Sequence, residues 1–173
     1  LKRTRSSDRK AAQALAEEVG GLPLALEQAA AYVEDTSCTL AHYLDVFRTQ
    51  REEVLKWRSD TAEYPESVAS TWNVSMQMLA EKSPAGAELL NLCAFFAPED
   101  IALDAITLGR EFLPGRLAEA AAKPVEFDQA RAALQRYSLA EFQGDSMSVH
   151  RLVQAVTYDR LRQEERGMLG AAA

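Results

Sequence analysis

Apolar residues in the first part of the chain recur with the 3.6-residue period of amphipathic helices. They predict one helix over 8–19 and a second over 22–34, with a turn at 35–37 before the next element. Thr39 has the side chain of a helix cap and predicts the start of a third helix, and a separate fourth helical stretch is predicted at 54–57. This part of the chain is therefore expected to form a small helical bundle.

A polar segment, 59–66, lacks apolar periodicity and contains Pro65, which favours a linker between two domains. The predicted domains are the helical bundle over 1–62 and a second domain over 63–168. A short tail over 169–173 follows them.

The second predicted domain begins with strongly apolar helices. The pair Ser83-Pro84 has the residues of an N-cap and a first helical position, so it predicts a helix start. We expect that helix to reach Pro98 and to be buried on most sides, because Phe95 and Phe96 extend its apolar run. Short helical pieces and an amphipathic helix over 127–137 come next.

Alternating apolar and polar residues towards the end of the chain predict a β-hairpin. The segments 138–142 and 146–149 alternate around a turn that contains Gly144, and a last helix begins near Leu152. Helices followed by such a hairpin are the winged-helix pattern. The predicted fold class is mainly α, a small helical bundle followed by a winged-helix domain with a short β-hairpin.

Charge and composition disfavour several classes of function. The net charge of −7 disfavours a nucleic-acid binder, because affinity for the phosphate backbone depends on clustered Lys and Arg. Cys38 and Cys93 stand far apart without metal-ligand spacing, so we expect neither a disulfide framework nor a zinc site. No apolar run has the length of a membrane span, and the residues after Leu1 lack the apolar core of a signal peptide. We expect a cytoplasmic fragment of a longer protein, with no membrane partner.

The segment Gly21-Leu22-Pro23-Leu24-Ala25-Leu26 joins the first two predicted helices. A glycine pair that ends one helix, followed at once by a proline that starts the next, makes a fixed joint. Such a joint brings backbone groups close to any ligand or side chain that lies inside the bend between the two helices. The six residues alone also fit a well-capped helical turn whose leucines serve the core.

His150 lies where the predicted hairpin ends and the last helix starts. Its imidazole can donate a hydrogen bond to a phosphate oxygen, and the start of a helix favours an anion. A surface or helix-capping histidine explains the same position.

Three segments together resemble the NB-ARC region of STAND-type signal-transduction NTPases. The GxP segment of this family resembles GLPLAL, which LAEEVG precedes and EQAAAYV follows. The resemblance implies that Pro23, with Leu22 beside it, packs on an adenine nucleotide. VHRLVQ is similar to the MHD segment, which implies that His150 contacts the β-phosphate; Arg151 stands where that motif has aspartate, so the role of the aspartate does not carry over. SVASTW is similar to a segment of STAND proteins that carry tetratricopeptide repeats, but we favour a plain structural role for Trp72, as a core anchor between bundle and winged helix.

The resemblance covers almost the whole chain and implies the last two subdomains of a molecular switch. An upstream nucleotide-binding lobe would hold the cofactor, ADP or ATP, and the bundle and winged helix would fold over it and control activation and self-oligomerisation. Leu22, Pro23 and His150 are the implied cofactor-binding residues. The sequence has no GxxxxGK[ST] loop and no strand ending in a magnesium-binding Asp. We therefore expect no catalytic residue, no metal site and no ATP hydrolysis by this chain. The resemblance implies that the parent protein is an ATPase.

Two other functions stay open at this point. A DNA-binding winged helix would use 127–137 as its recognition helix, with Arg131, Arg136 and the nearby Lys123, but the acidic residues at the start of that helix weigh against it. A nucleotide-independent protein-interaction module would use the helical surfaces alone.

Overall fold

The computed structural model describes residues 9–58 and 62–171, with side chains as far as residue 164. In this part of the chain the helices are α1 (Arg9–Glu18), α2 (Pro23–Thr36), α3 (Leu40–Trp57), α4 (Glu66–Lys82), α5 (Pro84–Cys93), α6 (Leu103–Leu108), α7 (Gly115–Ala121), α8 (Pro124–Arg136) and α9 (Arg151–Ala171), with a 3₁₀ turn at Arg110–Phe112. The strands are β1 (Ile101–Ala102), β2 (Glu141–Gln143) and β3 (Ser146–Ser148). The predicted, mainly helical fold class is confirmed.

Some predictions fall partly on residues that the structure does not describe. They are the start of the first helix at residue 8, residues 59–61 of the linker, and the last two residues of the tail. Among the helices that the structure does describe, none combines the length and the apolar character that a membrane span requires.

The three strands form one antiparallel sheet in the order β1-β3-β2. Met147 of β3 pairs with Ile101 on one side and with Phe142 on the other, and its side chain is completely buried. The predicted hairpin is confirmed, and the order α5, β1, α7, α8, β2, β3 is that of a winged helix, with the short α6 and the 3₁₀ turn between β1 and α7. Strand β1 was not predicted, because two residues are too few to show a period.

Helix α3 is longer than the sequence pattern predicts. Thr39 caps it as expected, since its hydroxyl accepts a hydrogen bond from the His42 amide at 3.1 Å. The prediction of a separate fourth stretch at 54–57 is wrong, because those residues are the last turn of α3. Phe47 and Val54 are both buried two helical turns apart, and no glycine or proline between them interrupts the helix.

Helix α5 is shorter than predicted. Ser83 caps it as expected, but the helix ends at Cys93 and not at Pro98. The Gln154 side chain donates to the Cys93 carbonyl at 2.7 Å, and the chain turns away there. Phe95 and Phe96 are 63% and 44% exposed, so their predicted place in the core is wrong.

Helix α4 packs on both parts of the molecule. Val74 belongs to the apolar core formed with α1, α2 and α3, whereas Trp72 belongs to the core of the winged helix. The Trp72 side chain is 2% exposed, and its indole N–H donates to the Thr157 hydroxyl of α9 at 3.0 Å. Its expected role as a core anchor is confirmed, and the domain boundary at residue 62 stays a prediction.

Candidate functional site

The joint between α1 and α2 has the geometry that its glycines predict. The amides of Gly20 and Gly21 donate to carbonyls of the last turn of α1 at 3.1 and 2.8 Å, the paired bonds of a Schellman motif. Both glycines have a positive φ, +65° and +67°, which strains other residues. Leu22 is extended and Pro23 is the first residue of α2, so the start of this helix is held in one orientation.

His150 caps α9 through one ring nitrogen. Its Nδ1 accepts a hydrogen bond from the Leu152 amide at 3.1 Å. A neutral imidazole has one acceptor and one donor nitrogen, so the Nε2 of a ring bonded in this way carries the proton. The capping function that the sequence left open is therefore present, and it leaves an N–H donor on an exposed side chain.

Leu22, Pro23 and His150 line the same cleft, which has a volume of about 970 Å³. We call the side formed by α2 (Leu22, Pro23, Leu24 and Glu27) the bundle wall. We call the side formed by the end of α8, the strands β2 and β3 and the start of α9 the wing wall. The wing wall comprises Gln135, Ser138, Leu139, Ala140, Glu141, Phe142, Ser148, Val149, His150, Arg151 and Leu152, and Val68, Pro98 and Glu99 complete the lining.

Charged residues that sequence analysis did not assign to a site also line this cleft. They are the carboxylates of Glu27, Glu99 and Glu141 and the guanidinium of Arg151. Glu27 follows Pro23 by one helical turn and Arg151 follows His150 directly, so their sequence spacing alone could have indicated them. Glu141 pairs with Ser148 in the predicted hairpin, which could also have indicated it, whereas Glu99 precedes the unpredicted strand β1 and carries no such signal.

The cleft offers two kinds of contact. Its size lies within the range of small-molecule sites, and Leu22, Leu139 and Phe142 give it apolar surface. Helices α2 and α9 both begin at it, and the positive end of a helix dipole favours an anionic group. The described residues contain no group of His, Cys, Asp and Glu arranged to hold a metal ion. The cleft therefore combines apolar surface and two helix N-termini, which favour an anionic group, with three carboxylates, which oppose one.

The basic residues named for a DNA-binding helix are engaged in ion pairs. Lys123 pairs with Glu126 at 2.7 Å, and Arg131 pairs with Asp128 at 3.0 Å. Arg136 pairs with a carboxylate of α2 at 3.1 Å. A second, smaller depression of about 560 Å³ lies between α5, α7 and α8; Arg136 lines it, but Leu22, Pro23 and His150 do not.

A protein-family model described as a domain of unknown function, DUF7779, matches residues 77–166, just over half of the chain. The chain belongs to the DUF7779 family. The DUF7779 segment begins near the end of α4 and includes the winged helix and most of α9, so it contains His150 and the wing wall. The bundle wall, with Leu22 and Pro23, precedes the DUF7779 segment. No curated protein and no solved structure matches this chain.

Proposed function

We propose that this chain is the regulatory part of a nucleotide-dependent switch of the NB-ARC/STAND class. The bundle and the winged helix close over ADP or ATP, which a nucleotide-binding lobe upstream in the parent chain holds. The observation that carries the proposal is that Leu22, Pro23 and His150, from opposite ends of the chain, line one cleft. A helix joint and a helix cap have no structural need to meet, whereas the resemblance to the GxP and MHD segments assigns both to one nucleotide.

The contacts of this site suit the two ends of an adenine nucleotide. The exposed Pro23 ring is a rigid apolar surface against which a purine packs. The Nε2–H of His150 donates to a phosphate oxygen, and the start of α9 adds the favourable end of a helix dipole. Both residues bind and neither performs chemistry, so the chain acts by making different contacts in the ADP and ATP states.

The charge of the cleft explains why the upstream lobe is needed. Glu27, Glu99 and Glu141 place three carboxylates around a site where Arg151 supplies the only guanidinium of the described lining. A nucleoside diphosphate is strongly anionic, so the upstream lobe has to supply most of the positive charge. The 173-residue chain alone is therefore expected to bind ADP only weakly.

On this proposal the protein is cytoplasmic, and its partners are the upstream lobe and further copies of the chain after activation. A nucleotide-independent interaction module is the second candidate, because an apolar floor with three carboxylates also suits a basic peptide. A DNA-binding role has less support, since the three basic residues named for it are each paired with a carboxylate.

Calorimetric titration of ADP into the parent protein, which adds roughly 150 residues upstream, tests the proposal. Pro23→Ala and His150→Ala are each expected to weaken binding by about 1–3 kcal/mol, or roughly 5- to 150-fold. Gln129→Ala, an exposed change in the second depression, is the control and leaves the affinity unchanged. Absence of ADP binding, or equal affinity in all the proteins, rejects the switch and favours the interaction module.

A further inference from the structure

Asp35 lies in the last turn of α2, at the end of the helix that is remote from the cleft. Its side chain is only 6% exposed. One carboxylate oxygen accepts hydrogen bonds from the Lys82 ammonium and, at 2.8 Å, from the Tyr137 hydroxyl. The other pairs with the Arg136 guanidinium at 3.1 Å. Burial of a carboxylate is unfavourable unless its oxygens are partnered, and here both are.

The four residues Asp35, Lys82, Arg136 and Tyr137, which we call the Asp35 cluster, connect three elements. Asp35 belongs to α2, Lys82 ends α4, and Arg136 and Tyr137 form the end of α8. The cluster therefore joins the bundle directly to the winged helix.

The Asp35 cluster and the cleft share the same segments of backbone. Helix α2 carries the bundle wall at its start and Asp35 at its end. Gln135 and Ser138 of the wing wall flank Arg136 and Tyr137 in the sequence. A tight turn holds these residues together, because the Leu139 amide donates to the Leu134 carbonyl at 3.0 Å.

We propose that Asp35 is a positioning residue that fixes the wing wall of the cleft relative to the bundle wall. Asp35 lines no part of the cleft. It acts through α2, along which Pro23 and Asp35 are separated by about 18 Å. The positioning does not depend on which ligand the cleft takes.

Other contacts between the two halves do not replace this one. Trp72 contacts Thr157, which joins α4 to α9. The Tyr64 hydroxyl donates to the Asp159 carboxylate at 2.6 Å, which joins the segment before α4 to α9. Neither contact involves α2 or α8, although Leu22 and Leu24 at the start of α2 pack on the winged-helix core. Loss of the Asp35 cluster therefore removes the described polar contacts between the end of α2 and α8, so the angle between these two helices can change while α4 and α9 stay together.

A distance measured across the cleft tests this role. Glu27→Cys and Glu141→Cys place one nitroxide spin label on each wall, and Cys38→Ser removes the half-exposed thiol. Cys93 is buried, and burial raises the pKa of its thiol to about 12, so it stays unlabelled. Helix crossing angles vary by about 15°, which over the roughly 12 Å of α2 between the labelled position 27 and Asp35 corresponds to a displacement of about 3 Å.

Pulsed electron paramagnetic resonance of the labelled chain is expected to give a narrow distance distribution. Asp35→Ala should shift or broaden that distribution by about 3 Å. Tyr137→Phe keeps the buried ring and removes only its hydroxyl, so it should change the distance distribution less than Asp35→Ala does. It replaces Asp35→Ala in the test if that variant does not fold. Asp128→Ala breaks an exposed pair within α8 and is the matched control, with no expected change. Distributions that match the unsubstituted protein in whichever of the first two variants folds would overturn the role of Asp35.

Discussion

Substitutions at His150 separate its capping role from its proposed contact with phosphate. His150→Ala removes the acceptor of the Leu152 amide, and loss of an N-cap costs about 1 kcal/mol. Because His150 is exposed, water partly replaces the lost acceptor, and we expect about 0.5–1 kcal/mol. With a urea m-value of about 2 kcal/mol per molar, the unfolding midpoint falls by roughly 0.3–0.5 M.

His150→Asp is expected to keep the stability of the protein and to weaken its binding of ADP. Aspartate is among the preferred N-cap residues and its charge favours the start of α9, so the free energy of unfolding stays within about 0.5 kcal/mol of the original. The same charge beside a phosphate adds a repulsion of about 1–4 kcal/mol to the loss that the alanine variant shows, so ADP binds more weakly than to His150→Ala.

Urea unfolding of the chain and ADP calorimetry of the parent protein provide the two readouts. Equal stability of His150→Ala and the original protein would show that the Nδ1 bond does not form in solution. Full ADP affinity in His150→Asp would remove His150 from the phosphate site.

Three further predictions concern stability. Burial opposes ionisation of Asp35, but hydrogen bonds from its ammonium, phenol and guanidinium partners outweigh burial and hold its pKa below the ordinary 3.8. The contribution of Asp35 to the free energy of unfolding is therefore present above that pH and is lost as the pH falls towards the lower folded-state pKa. The urea midpoints of Asp35→Asn and the original protein should converge at that low pH, and a constant difference would contradict this. A double-mutant cycle of Trp72→Phe and Thr157→Val should give a coupling of about 1 kcal/mol in urea unfolding, and zero coupling would mean that their hydrogen bond contributes nothing. Phe95→Ala should cost less than about 1 kcal/mol, whereas Leu89→Ala in the core should cost about 2–5 kcal/mol, and similar losses would place Phe95 in a packed environment.

Local sequence signals predicted the elements of this fold well. Thr39 and Ser83 cap helices as expected, and the glycine pair before Pro23 forms the expected joint. Each of these features depends on residues within one or two turns of each other, and such short-range chemistry is visible in a sequence.

Features that depend on distant partners were missed or misjudged. Local residue types predicted a turn at Asp35. Its partners Lys82 and Arg136 were missed, because they lie 47 and 101 residues further along the chain. Apolar character alone placed Phe95 and Phe96 in the core, although the chain turns outward before them. Apolar periodicity shows which residues can be buried, but the fold decides which of them are.

The candidate site was predicted in part. Motifs near the two ends of the chain indicated Leu22, Pro23 and His150, and the fold brings these residues to one cleft. The carboxylate of Glu99 could not be placed there from the sequence, because Glu99 precedes strand β1, which was not predicted. On the proposed function we expect Glu99 and the other two carboxylates of the cleft to weaken the binding of a free nucleotide.

The most direct test of the proposed switch is to locate bound adenine by photolabelling. The parent protein would be irradiated with 8-azido-ADP, and the labelled peptides would be identified by mass spectrometry. Part of the label is expected to attach to the segment around Leu22 and Pro23, and unlabelled ADP in excess is expected to prevent this. Label confined to other segments, with none at the start of α2, would contradict the proposal that this cleft closes over the nucleotide.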